Sequence, residues 1–115
     1  MPVFAAYTLV FVRDMNRAVA FYRDAIGMTP RITTPAWSEL EIEGAIIALH
    51  SGGESGTREI PLGFKVLNID QVANAVVASG GFIHSPKRQA PGEPAIIKAG
   101  DTEENVFFLS EGPGA

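Results

Sequence analysis

The sequence predicts an α+β fold of two β-α-β-β-β modules forming one curled eight-stranded mixed sheet, with the helices on its outer face. Three observations carry this. Val12–Met28 reads as a strand end, an amphipathic helix and a new strand. The pattern returns at Val66–Phe82 with a constant offset, Val12 matching Val66, Asp14 matching Asn68 and Gly27 matching Gly81. After each helix come three short β-rich runs, an order that packs as a sheet covered on one side by helices.

Val3–Val12 is almost continuously apolar and reads as a strand buried on both faces. The helix from Asp14 to Gly27 is capped by the Asp14 carboxylate, which accepts from free first-turn N–H groups. Met15, Ala18, Val19, Tyr22 and Ile26 recur at helical steps and form its apolar face. Gly27 suits the left-handed position that ends many helices. Thr29–Thr34, Trp37–Ile42 and Ala45–His50 are the next strands, and Phe21 and Tyr22 are core candidates.

Ser51–Glu59, SGGESGTRE, is a polar linker expected to be mobile. A phosphate-cradling loop would need a Gly-Lys-Ser/Thr ending and a following helix, and has neither. Ile60–Leu67 is the next strand and Ile69–Ser79 the second helix, capped by Asn68 and stopped at Gly80-Gly81. Phe82–Ser85, Ala95–Ala99 and Val106–Ser110 are strands. They are separated by a polar loop over Pro86–Pro94 and a turn over Asp101–Asn105. Module one thus spans 3–50, module two 60–110, and 111–115 is a tail.

The chain has 115 residues, 46% hydrophobic and 19% charged, enough apolar material for one packed domain. Its net charge of −4 argues against a nucleic-acid partner, which calls for clustered Lys and Arg. There is no cysteine, so disulfides, thiolate metal sites and a Cys nucleophile are excluded. No apolar run approaches the roughly 20 residues that span a bilayer. The first residues lack the basic start of a signal peptide. A cytoplasmic location and no membrane partner are expected.

The pattern Val-x-Asp–helix–Phe-Tyr-x-Asp-x-Ile-Gly between Val12 and Gly27 resembles the vicinal oxygen chelate superfamily. Glyoxalase I, extradiol dioxygenases, fosfomycin-resistance enzymes and bleomycin-resistance proteins belong to it. Asp101-Thr-Glu-Glu-Asn105 partly matches the family's closing Asp-Pro-x-Gly-Asn signal, without its proline and glycine. The resemblance covers essentially the whole chain and implies a homodimer. It also implies four metal-ligand positions, which fall here on Tyr7, Ala48, Pro61 and Phe108. Ala, Pro and Phe donate no lone pair, and one phenol does not hold a divalent ion. A cleft without metal or other cofactor is therefore expected.

Several side chains are candidates to line that cleft. Tyr7, Trp37, Phe64 and Phe108 could form an aromatic wall for a planar or cationic ligand, against the plainer reading of core packing. Glu39 and Glu41 share a side with Trp37 and are either cleft-lining or solvated. His50 shares strand parity with Ala48, and Ser110 with Phe108. His50 is the best acid–base candidate, since histidine titrates near neutrality. Lys98 could reach the cleft mouth to meet an anion; His84 is a weaker candidate. The expected ligand-binding set is Tyr7, Trp37, Glu39, Ala48, His50, Phe64, Phe108 and Ser110.

Two function classes follow. One is a metal-independent module that sequesters or carries a small organic molecule in the manner of the bleomycin-resistance branch. The alternative is a glyoxalase- or dioxygenase-type lyase or isomerase using a displaced metal site or His50. A third, structural role predicts a cleft plugged by Phe108 and Trp37.

Overall fold

The computed structural model describes residues 2–112. Of the expected tail, 113–115 lie outside the described residues, while Glu111 belongs to the last strand. The chain runs β1 (Tyr7–Val12), α1 (Met15–Phe21), a π-helical turn (Tyr22–Ile26), β2 (Thr29–Thr33), β3 (Trp37–Ile42) and β4 (Ala45–Ser51). It continues with β5 (Arg58–Val66), α2 (Ile69–Ala78), β6 (Phe82–Arg88), β7 (Ile96–Gly100) and β8 (Asn105–Glu111).

Each module builds its own four-stranded sheet, in the orders β1-β4-β3-β2 and β5-β8-β7-β6. The first strand of each module runs parallel to its last, and the other pairs are antiparallel. The two sheets therefore share one topology, as the internal repeat requires.

Local chemistry sets the helix ends. Asp14 accepts from the Arg17 amide at 3.1 Å, and Asn68 accepts from the Gln71 amide at 3.1 Å. Gly27 ends the first helical run at φ 87°, a left-handed conformation that costs glycine little. The first helix widens into π geometry over its last five residues, where the Met28 amide reaches back to the Tyr22 carbonyl at 3.1 Å.

One apolar core lies between the helices and both sheets. It takes Val10 and Val12 from β1, Ala18 and Phe21 from α1, Leu49 from β4, Val76 from α2, and Phe107 and Leu109 from β8. The modules meet through aromatic rings: Phe107 packs on Phe21 at 6.2 Å and on Tyr22 at 6.1 Å. The first of these is edge to face and the second tilted, and aromatic pairs of this kind add stability beyond their buried area.

The molecule measures 42 × 38 × 20 Å. Its short dimension holds one layer of helices, about 10 Å across, and one of sheet. Among the described residues no element covers the other face of the sheets. This corrects the expectation that β1 is buried on both sides. Val10 and Val12 are buried against the helices, while Tyr7, Leu9 and Phe11 stay 55%, 39% and 47% exposed.

Two segments depart from the expected boundaries. Residues 2–6 are exposed and irregular, so β1 begins at Tyr7, not Val3. β6 runs on through Pro86 to Arg88, where a loop was expected. As an edge strand it tolerates a residue without an N–H. The linker is tied to both modules. The Gly53 amide donates to the Val12 carbonyl at 3.0 Å, and the Gly56 amide to Glu104 Oε1 at 3.2 Å. A Cβ on Gly53 would lie 2.8 Å from Val12 backbone, so the close approach needs glycine.

Candidate functional site: an open aromatic sheet face

Residues paired in register across a sheet point to the same side. In module one Phe11 pairs with His50 and Trp37 with His50; Leu9 pairs with Ala48 and Ala48 with Glu39. These residues, with Tyr7, stand on the face turned away from the helices. In module two Gly63 and Lys98 flank Phe108, and Lys65 and Ile96 flank Ser110, on the corresponding face.

The module-one face is an aromatic cluster. The Tyr7 and Trp37 rings meet edge to face at 5.6 Å, as do Trp37 and His50 at 5.8 Å, and Phe11 and His50 lie tilted at 5.4 Å. Tyr7 and Trp37 come from the strands on either side of β4, so their rings meet over it. The small Ala48 lies beneath and is fully buried. The Trp37 indole N–H donates to Glu39 Oε2 at 2.7 Å, which orients both side chains. His50 Nδ1 bonds the Ser51 carbonyl. A carbonyl only accepts, so Nδ1 is the donor, and in the neutral ring Nε2 is then the acceptor.

The module-two face is basic at its centre. Lys98 Nζ sits 5.3 Å from the centre of the Phe108 ring and 2.6 Å from Glu59 Oε1. The hydrogen bond from Lys98 holds the Glu59 carboxyl below its ordinary range. A pocket of about 160 Å³ opens here, lined by Ser85, Arg88, Lys98 and Phe108 among others. Phe108 is 37% exposed.

Of the expected ligand-binding residues, the structure brings Tyr7, Trp37, Glu39, Ala48 and His50 together on one module face, and Phe108 and Ser110 on the other. Phe64 is the correction. It points to the opposite side of β5 and packs against Phe107 at 5.7 Å within the core. Its parity with Ile60, Leu62 and Val66 was the signal, since all four alternate with the open-face residues of the strand. His84 lies on β6 beside Phe82, its ring 6.4 Å away.

The four positions that would hold a metal in this fold do not fit one. β1 places Tyr7 two residues before Leu9, which pairs with Ala48. β5 places Pro61 two residues before Gly63, which pairs with Phe108. Tyr7 and Pro61 thus stand at the same offset from those pairs, although β5 shifts register between Glu59 and Gly63, and the four positions together offer one phenol oxygen. Among the described residues no group of three or more His, Asp or Glu side chains gathers to hold an ion. Divalent metals need several converging N or O donors.

A second polar cluster, which the sequence reading did not foresee, joins the modules beneath the sheets. The Tyr22 hydroxyl donates to Asp101 Oδ2 at 2.6 Å, and both residues are buried. Asp101 Oδ1 accepts from the amides of Glu103 at 2.7 Å and Asn105 at 2.9 Å. Asn105 Nδ2 donates to Asp101 Oδ2 and to the Phe11 carbonyl of module one, each at 3.1 Å. The buried Glu103 carboxylate accepts from the amides of Arg13 and Asp14, where β1 enters α1. Burial, reinforced by the Asp101 charge, pushes the Tyr22 hydroxyl well above its ordinary range. Burial also raises Asp101, against its hydrogen bonds, which favour the ionised form. This cluster braces the site and is remote from its open face.

The geometry defines a class: two β-α-β-β-β modules whose parallel-edged sheets present one shared, uncovered face. The model of the Glyoxalase/Bleomycin resistance protein/Dioxygenase superfamily matches residues 5–108, and the chain belongs to that family. Among solved structures, it resembles a glyoxalase/bleomycin resistance protein/dioxygenase family enzyme from Burkholderia phytofirmans PsJN. That match has a TM-score of 0.78 at 20% identity, covering 91% of this chain and 95% of the other. It also resembles the fosfomycin resistance protein FosX from Listeria monocytogenes, complexed with Mn(II) and sulfate. Here the TM-score is 0.79 at 21% identity, covering 98% and 93%. Lactoylglutathione lyase from Agrobacterium tumefaciens matches with a TM-score of 0.74 at 17% identity, covering 97% and 96%. No curated protein matches the chain. At these identities the structural likenesses establish the fold alone.

Proposed function

We propose that this protein binds a small organic molecule without a metal, sequestering or carrying it in a cleft completed by a second copy of the chain. The observation that supports this most is the content of the four metal positions. Tyr7, Ala48, Pro61 and Phe108 replace a donor set by aromatic and apolar surface. The exposure of Tyr7, Leu9, Phe11 and Phe108 on one open face supports the second copy. A monomer rarely leaves a contiguous apolar patch uncovered without a binding role for it. Apolar walls would supply affinity, and a few fixed polar groups such as Glu39 and His50 would supply orientation. No helix among the described residues is long and apolar enough to cross a membrane; a cytoplasmic setting is part of the proposal.

The glyoxalase- or dioxygenase-type alternative draws its support from the family, with lactoylglutathione lyase and FosX among its structural likenesses. It would rest on His50, whose Nε2 is a free acceptor on the open face. The test is equilibrium binding of naphthalenemethanol, read by fluorescence of Trp37, the only tryptophan in the chain. Saturable binding at one probe per chain, unchanged by EDTA, is expected. Binding that appears only after a divalent metal is added would overturn the proposal.

A further inference from the structure

We infer that the ligand of this cleft carries a compact oxyanion, such as a carboxylate, on a flat apolar body, and that Arg88 receives it. The inference rests on the binding reading above and adds the chemical class of the ligand.

The two sheet faces differ in kind. Module one supplies rings and the Glu39 carboxylate, whose Oε2 is already engaged by the Trp37 indole. Module two supplies donors above a phenyl floor. β6 and β7 pair Ser85 with Lys98 and Arg88 with Ile96, and β8 sets Phe108 beside Lys98. Ser85, Arg88, Lys98 and Phe108 thereby line one pocket of about 160 Å³.

The charges facing that pocket balance in number, Lys98 and Arg88 against Glu59 and Glu93, but only the first pair is closed as an ion pair among the described residues. Lys98 is matched by Glu59 at 2.6 Å. His84 lies close enough to favour the ionised Glu59. Glu93 lines the rim from the loop after β6, and no ion pair joins it to Arg88 among the described residues. Arg88 is thus the cation at this pocket without a carboxylate partner. Its planar fork of N–H donors matches a carboxylate in two parallel hydrogen bonds, which a lysine does not provide. The Ser85 hydroxyl supplies a further donor, and the Phe108 ring receives the flat body.

The overall charge of −4 would suggest a cationic ligand, but ligand choice follows the groups that face the pocket. The acidic excess does not lie here: Lys98 and Arg88 match Glu59 and Glu93 in number, and Arg88 and Glu93 are each left without an ion-pair partner among the described residues.

The experiment compares three probes of one shape: naphthoate, naphthalenemethanol and naphthylmethylammonium. Each is titrated into the wild-type protein and into Arg88→Gln and Arg88→Lys, with circular dichroism and oligomeric state checked for each variant. Naphthoate is expected to bind about tenfold more tightly than the neutral probe, from one charge-assisted hydrogen-bond pair. Arg88→Gln should abolish that preference, bringing the ratio of naphthoate to neutral-probe affinity to about one. Arg88→Lys should restore part of it. Equal binding of all three probes, preference for the ammonium, or a naphthoate preference that survives Arg88→Gln would overturn the inference while leaving the binding reading intact. Binding of no probe by the folded wild-type protein would overturn both.

Discussion

Replacing Tyr22 by Phe removes one oxygen atom from the buried cluster that joins the modules. The hydroxyl donates to Asp101 Oδ2 at 2.6 Å, with both residues all but fully buried. A hydrogen bond to a charged group contributes about 1.5–3 kcal/mol. Asp101 retains the Glu103 and Asn105 amides and the Asn105 side chain, so its carboxylate is not stranded. The expected cost is therefore about 2 kcal/mol at pH 7, a fall of roughly 8 °C in Tm for a domain of this size. The pH dependence makes the test specific. Burial raises the folded-state pKa of Tyr22 above its unfolded value, so its contribution is complete below pH about 10 and is lost as pH rises beyond that. At pH 11 ionisation in the unfolded state removes about 1.4 kcal/mol from the wild type and nothing from the variant. Urea unfolding of both proteins at equal concentration, at pH 7 and pH 11, should show the gap narrowing from about 2 to about 0.6 kcal/mol. A gap that stays constant or widens would refute the account of the cluster.

Glu103→Ala should cost about 1–3 kcal/mol, because it strands the amides of Arg13 and Asp14 at the start of α1; urea midpoints measure it. Gly81→Ala should destabilise by at least about 2 kcal/mol, since its Cβ would lie 2.3 Å from the Gly100 carbonyl oxygen, a backbone atom that cannot swing aside. Gly112→Ala, with no atom of the described residues beyond its chain neighbours within 4 Å of the new Cβ, is the control and should leave the midpoint within about 0.5 kcal/mol. Phe108→Ala should weaken naphthalenemethanol binding by about fivefold to fiftyfold, the loss of one aromatic contact surface, with little change in unfolding midpoint because the ring is partly exposed.

The fold was legible because its signals are local and occur twice. Asp14 and Asn68 announce the helix starts, and a left-handed glycine follows each helix, Gly27 after the first and Gly80, one residue before the position the repeat offset marks, after the second. The site was legible in part, because strand parity alone places His50 beside Ala48 and Ser110 beside Phe108. Phe64 was misplaced although parity was available: it alternates with Gly63 and Lys65, and its aromatic character outweighed its position. The open face of β1 could not be read, because near-continuous hydrophobicity does not say which side the helices cover. The Tyr22–Asp101 pair spans 79 residues, and no local pattern encodes such a contact. Arg88 was hidden by Pro86, which reads as a loop residue and stands instead in an edge strand.

The central claim is that a cleft closed by two copies holds an organic ligand where metal donors are missing. Native mass spectrometry of the purified protein, with metal analysis of the same sample, tests it most directly. The account predicts a dimer of the 12.2 kDa chain with no stoichiometric metal, carrying or accepting a small organic mass. One Fe, Mn, Ni or Zn per chain, lost on His50→Ala, would contradict it.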